Sequence, residues 1–103
     1  MLDIQQLQEA LSLPDFREQT LQQLQKDFDR AQVEVKFLAN DLLYEIESAI
    51  QNLPQIQLQQ LLYLIDVPEI DWDLQSGQAY HQKLAEVILH REALKVYLRR
   101  KFV

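Results

Sequence analysis

The stretch Gln57-Leu-Gln-Gln-Leu-Leu-Tyr-Leu-Ile-Asp-Val67 decides the fold class. Four of its apolar residues recur at the i, i+3, i+4 and i+7 spacing of one helical face. These residues are Leu58, Leu61, Leu62 and Ile65. Tyr63 and Leu64 extend the apolar surface to the opposite side, and a short helix that is apolar nearly all round typically lies between other elements. The sequence therefore predicts a buried central helix over residues 53–66.

The composition predicts a single all-α domain spanning residues 1–103. Hydrophobic residues make up 48% of the chain, whereas it has one Gly and three Pro, too few turn residues for a β-sandwich or barrel. The absence of Cys excludes disulfides, thiolate catalysis and zinc–sulfur sites. No stretch reaches the ~18 apolar residues of a membrane span, and the N-terminus lacks the pattern of a secretory signal. These features favour a cytoplasmic protein.

Each proline marks the expected start of a helix. In all three places a capping residue and a branched apolar residue precede the proline, and an acid or amide follows it. The segments are Ser12-Leu13-Pro14-Asp15, Asn52-Leu53-Pro54-Gln55 and Asp66-Val67-Pro68-Glu69. Because proline is tolerated in the first turn of a helix, where its missing N–H has no partner, helix starts are predicted near 13, 53 and 67.

One long helix over about 13–52 is predicted from an apolar heptad pattern. The pattern comprises Leu21, Leu24, Phe28, Ala31, Val35, Leu38 and Leu42. Val33, Val35 and Phe37 alternate as in a strand, but this short run is outweighed by the heptads, although two helices in place of one remain an alternative. The predicted seam for a second copy consists of Leu21, Leu24, Phe28, Val35 and Leu38. A homodimer is therefore expected.

Two further helices, 2–11 and about 78–100, complete a four-helix domain. Residues 83–103 hold six basic and two acidic residues, whereas the first 82 residues hold four basic and fourteen acidic ones. An acidic body disfavours nucleic acid as a partner, but the basic end could still contact an anionic surface. The surface candidates for binding a partner are Arg91, Lys95, Arg99, Arg100, Lys101 and Trp72.

Arg91 lies within the apolar stripe of the C-terminal helix, where a charge needs a partner. The favoured interpretation is an ion pair with Asp66 or an arginine whose charged end reaches solvent. The alternative is that Arg91 and Lys95 bind a carboxylate or phosphate of another molecule.

No catalytic or metal-binding motif is recognised, and no cofactor is predicted. Asp71 and Asp73 match the first positions of a calcium loop, but Ser76 and Gln82 occupy the places where its Gly and Glu are needed. His81 and His90 are nine residues apart and so lie on different helical faces. These observations favour a protein that is not an enzyme.

Two segments carry a resemblance to a known group of proteins. Leu61-Leu62-Tyr63-Leu64-Ile65-Asp66-Val67, followed by Leu84-Ala85-Glu86-Val87-Ile88 and a basic helix, resembles small all-helical bacterial proteins with a Leu-Tyr-x-Ile-Asp-Val stretch. The resemblance covers about 35–102 and implies a helical, cytosolic, bacterial protein. It supplies no activity, ligand or catalytic residue.

Three functions follow from these patterns. The first is a non-catalytic protein-interaction or regulatory module that offers a groove or seam to a partner helix. The second is a nucleic-acid or anionic-surface binder that uses the basic C-terminal helix. The third is an enzyme of unrecognised type.

Overall fold

The computed structural model describes residues 4–38, 40–67 and 80–101, and within these ranges the chain forms helices and no strand. The helices are α1 (Ile4–Leu11), α2 (Pro14–Arg30), α3 (Leu42–Gln51), α4 (Gln55–Ile65) and α5 (Tyr80–Lys101). The predicted all-α class is confirmed. The number of helices differs from the prediction because the segment expected to be one long helix contains two.

Helix α5 is the element on which the fold is assembled, since it contacts α1, α2, α3 and α4. Helix α4 lies where the central helix was predicted, and its predicted inner face is buried. Its other side is not buried, however, because Tyr63 is 77% exposed. The prediction that α4 is enclosed on all sides is therefore wrong, and α5 takes the central position.

The prediction of one helix over 13–52 is also wrong. Helix α2 ends at Arg30, Gln32 adopts a left-handed φ of 60°, and the backbone runs without helix through Leu38. Val33 and Phe37 are buried in this segment, while Glu34 and Lys36 are exposed. The strand-like alternation was thus the correct local signal. Alternate side chains of this non-helical stretch face the core, and residues 33–38 are called the extended segment below.

Glutamine side chains satisfy the backbone of this extended segment. The Gln25 side-chain amide donates to the Val35 carbonyl over 2.7 Å, and its oxygen accepts from the Phe37 N–H over 3.0 Å. Gln57 on α4 donates to the Gln32 carbonyl over 2.9 Å. Because partly buried backbone groups need partners, these amides replace the neighbouring strand that a sheet would supply.

Two of the three predicted proline starts are confirmed. Pro14 is the first residue of α2, and Pro54 directly precedes α4. The capping role predicted for Ser12 is wrong, because its hydroxyl donates back to the Glu9 carbonyl and α2 begins without a side-chain cap. The start at Pro68, the link around Asp71 and Asp73 and the cap at Ser76 lie outside the described residues.

Candidate functional site

The outer face of α4 carries two large apolar side chains that the fold leaves open. Ile56 is 72% exposed and Tyr63 is 77% exposed. They are seven residues apart, which places them two helical turns apart on the same face. Gln59 and Gln60 lie between them at the i+3 and i+4 positions from Ile56. Amide groups therefore separate the two apolar side chains.

This face forms one wall of an open groove of about 580 Å³. The other wall is the end of α2 and the turn that follows it. The groove is lined by Arg30, Ala31, Gln32, Ile56, Gln59, Gln60, Tyr63 and Leu64. The break after Arg30 creates the groove, because a helix continuing past that residue would not turn back beside α4.

Arg30 is the one charged side chain of the lining. Its Nη1 lies 3.6 Å from Asp27 Oδ1, and its side chain is 55% exposed. That separation exceeds hydrogen-bond length, so the five N–H donors of the guanidinium remain available at the groove. Asp27 itself is 1% exposed and points into the interface between α2 and α5.

Beneath the groove lies a buried charged cluster formed by Asp27, Glu92 and Lys95. The Lys95 ammonium donates to Asp27 Oδ2 over 3.0 Å and lies 3.2 Å from Glu92 Oε1. Gln23 donates to the same Asp27 oxygen over 3.1 Å. Lys95 Nζ also donates to the carbonyl of Leu64, a groove residue, over 3.5 Å. The cluster thereby joins α2, α4 and α5.

Burial separates the acidities of the two carboxyl groups. Desolvation, together with the neighbouring Asp27 carboxylate, raises the pKa of Glu92 to about 9. Desolvation acts on Asp27 in the same direction, but the neighbouring carboxyl group of Glu92 and the hydrogen bonds from Gln23 and Lys95 together outweigh it and hold the pKa of Asp27 below its ordinary value. At neutral pH the cluster therefore holds one carboxylate, one ammonium and one neutral carboxyl.

Despite its perturbed pKa values, the cluster does not resemble an active site. Glu92 is fully buried and Asp27 nearly so, and neither carboxyl group reaches the groove surface. Acid–base catalysis requires a group within hydrogen-bond reach of the substrate. The arrangement is suited to holding α2 against α5.

The basic residues predicted to bind a partner are engaged in separate contacts along α5. Arg91 donates to Asp66 over 2.7 Å, which confirms the predicted intramolecular pair. Lys95 belongs to the buried cluster, and Arg99 donates to Gln23 over 2.5 Å. The guanidinium of Arg100 lies 5.7 Å from the centre of the Phe16 ring. Lys101 is the last helical residue, and both its side chain and Trp72 lie outside what the structure describes.

The predicted dimer seam does not form a continuous surface. Leu24 and Phe28 are fully buried in the core of the chain, Leu21 and Val35 pack against that core, and Leu38 is 65% exposed outside any helix. Side chains used inside one molecule cannot also contact a second copy. The homodimer stays a prediction, but four of the five residues from which it was inferred belong to the core or pack against it.

Sequence reasoning missed the groove, although a signal for it was present. Ile56 and Tyr63 share a face that lies opposite the stronger Leu58, Leu61, Leu62 and Ile65 pattern, and the amides between them mark that face as open to water. The buried pair of Asp27 and Lys95 had no local signal, because the two residues are 68 positions apart.

Two features are absent from the described residues. No three His, Asp or Glu side chains there are grouped so that they could hold a metal ion. No helix there combines the length and apolar character needed to cross a bilayer.

No protein-family model, curated protein or solved structure matches this chain. The resemblance to small bacterial helical proteins therefore stays a prediction.

Proposed function

We propose that this chain is a non-catalytic protein-interaction module that receives a partner helix in the groove between α4 and the end of α2. The observation that carries the proposal is the exposure of Ile56 and Tyr63 beside a concave surface. Burying a large apolar side chain contributes about 1.5–3 kcal/mol, so covering both residues is a substantial driving force for association.

The chemistry of the lining fits a protein partner. Tyrosine presents a large apolar ring with a hydroxyl that can hydrogen-bond, and it is enriched at the centres of protein interfaces. The glutamines of the lining offer amide donors and acceptors around the apolar contacts. A partner helix in such a groove contributes its own apolar residues at positions i, i+3 or i+4 and i+7. The distance from its position i to i+7 equals the two-turn distance between Ile56 and Tyr63.

The two alternative functions receive less support. Arg91, Lys95, Arg99 and Arg100 each contact a different group of the chain itself, so they do not form the continuous basic surface that phosphate binding uses. The two carboxyl groups of the titratable cluster, which an enzyme could use, are buried, and only Lys95 is partly exposed. These contacts support the proposal of a module without a catalytic role.

Selection from a displayed library of helical peptides, with the full chain immobilised, tests the proposal. We expect enriched peptides to carry apolar residues at helical spacing. Tyr63→Ser should weaken their binding by roughly 10- to 30-fold, the loss typical of removing a central interface residue.

The matched control is Tyr44→Ser, because Tyr44 is 66% exposed on α3 and does not line the groove. This variant should leave binding unchanged, and circular dichroism should show that both variants keep their helix content. Failure to enrich any peptide, or equal losses in the two variants, would contradict the proposed function.

A further inference from the structure

The groove has a charge that distinguishes it from the rest of the chain. The molecule carries sixteen acidic and ten basic residues, yet the groove is lined by one arginine and no carboxylate. Arg30 is half-exposed at the α2 wall, and the apolar side chains of Ile56 and Tyr63 stand on the α4 wall. A ligand that fits must therefore combine an apolar face with an acceptor for the guanidinium.

The burial of Asp27 positions Arg30 for this contact. Oδ2 of Asp27 is bound by Lys95, whereas Oδ1 lies 3.6 Å from Arg30 Nη1. Asp27 attracts the guanidinium toward the groove wall without occupying its donors at hydrogen-bond distance. Holding the arginine in place lowers the conformational entropy that a partner would otherwise have to remove.

A second copy of this chain is a poor occupant for the groove. In a two-fold dimer the same patch contacts itself. The lining of the partner copy would present apolar residues and glutamines but no acid to meet Arg30. Arg30 would then lose water while its own Asp27, at 3.6 Å, stays beyond hydrogen-bond length, so its N–H donors would lack an acceptor. Charge complementarity therefore favours a different protein that brings an acid.

We infer that the groove beside α4 binds an amphipathic helix of another protein whose apolar face packs on Ile56 and Tyr63 and whose Asp or Glu side chain pairs with Arg30. This inference rests on the proposed function and specifies the chemistry of the partner. Arginine can donate two parallel N–H···O bonds to a carboxylate, which fixes the direction in which the helix lies.

The test uses the displayed peptide library against four forms of the full chain: wild type, Arg30→Gln, Lys26→Gln and Tyr63→Ser. Wild-type protein should enrich apolar helical peptides that carry Asp or Glu at one fixed position relative to the apolar residues. Replacing that acid by its amide should weaken binding of the synthetic peptide about three- to fivefold, the range of a partly exposed ion pair.

The Arg30→Gln protein should bind the acidic peptide and its amide version equally. Lys26→Gln removes the same charge from an exposed position one turn earlier on α2, and it should keep the preference for the acid. This comparison separates a specific pair from a general effect of net charge.

The remaining outcomes distinguish failure of this inference from failure of the proposed function. Apolar peptides that lose binding with Tyr63→Ser but show no preference for an acid, or a preference that Arg30→Gln leaves intact, would overturn this inference and leave the proposed function standing. No enrichment that depends on Tyr63 would overturn both. Self-association of the wild-type chain in sedimentation equilibrium, abolished by Tyr63→Ser, would show that a second copy occupies the groove and would also overturn the inference.

Discussion

At the scale of single residues, the proton on Glu92 determines the charge of the buried cluster. With Glu92 neutral, the ammonium of Lys95 balances the carboxylate of Asp27. When Glu92 ionises, two buried carboxylates compete for the Lys95 ammonium, and the half-exposed guanidinium of Arg30 lies near only one of them, 3.6 Å from Asp27 Oδ1. Buried charges without matched partners are strongly destabilising, so the neutral form of Glu92 is the one that fits the fold.

The substitution Glu92→Gln tests this assignment. Glutamine has nearly the size and shape of a neutral carboxyl group, so the free energy of unfolding at about pH 4, where Glu92 carries its proton in both the folded and the unfolded chain, should change by less than about 1 kcal/mol. At about pH 10 the variant should be more stable than wild type, because it cannot ionise there. Urea denaturation followed by circular dichroism at both pH values measures the difference.

Glu86→Gln is the matched control, because Glu86 lies on the same helix and is exposed. It should leave stability unchanged at both pH values. A large loss of stability for Glu92→Gln at about pH 7 would show that Glu92 is ionised in the folded chain.

The predictability of individual contacts depended on local signals. Arg91 interrupts an apolar stripe and Asp66 ends the preceding helix, so their pairing could be predicted from the sequence. The sequence around Lys95 indicates only an ordinary surface cation near the C-terminus. Its contact with Asp27 depends on how α2 and α5 pack, and that packing depends on where α2 ends.

At the scale of secondary-structure elements, the decisive event is the end of α2 at Arg30. The heptad pattern continues through Ala31, Val35 and Leu38, so helical periodicity alone does not locate the break. Neither Gly nor Pro marks it, and Gln32 adopts the left-handed conformation without the help of glycine. The alternation of Val33, Val35 and Phe37 competes with the heptads, and burial of Val33 and Phe37 favours the extended form.

The substitution Gln25→Ala tests the support of this extended segment. Removing the amide leaves the Phe37 N–H and the Val35 carbonyl without their present partner in a partly buried place. The free energy of unfolding should fall by about 1–3 kcal/mol, the penalty for an unsatisfied buried polar group. Guanidinium denaturation gives the loss, and hydrogen exchange at Phe37 should accelerate.

Gln22→Ala serves as the comparison, because Gln22 is exposed on the same helix and contacts Glu18 one turn earlier. It should change stability by less than about 0.5 kcal/mol, as is usual for surface substitutions. Equal effects of the two substitutions would show that the glutamine contacts to the extended segment contribute no stability.

At the scale of the whole molecule, one apolar core connects the described elements α2, the extended segment, α3, α4 and α5. The all-α class, two of the proline starts and the inner face of α4 could be predicted, because each depends on residues close in sequence. The groove could not be predicted in the same way. It exists only where α4 passes the end of α2, and it therefore required the correct position of the break.

Stability as a function of pH should reflect the buried cluster. The folded-state pKa of Glu92 is raised. Its contribution to the free energy of unfolding is therefore complete below about pH 4.5 and is lost as the pH rises toward about 9. The folded-state pKa of Asp27 is lowered from the ordinary value of 3.8. The contribution of Asp27 to the free energy of unfolding is therefore present above pH 3.8 and is lost as the pH falls through the folded-state pKa.

We therefore expect maximal thermal stability in mildly acidic solution, and a decline in the free energy of unfolding of up to ~1.4 kcal/mol per pH unit between about pH 5 and about pH 9. Melting temperatures measured from about pH 3 to about pH 10 check the profile. This decline should be weaker in Glu92→Gln, and a wild-type profile that rises from about pH 5 to about pH 9 would contradict the assignment.

The hidden carboxyl group of Glu92 also links unfolding to the surrounding buffer. Near neutrality the native chain retains a hydrogen ion that the same glutamate gives up once water reaches it, so each unfolding event delivers about one ion to the solution. Calorimetric heats will therefore contain the ionisation enthalpy of whichever buffer receives it. Phosphate and Tris, which differ widely in that enthalpy, will return different heats for the same transition.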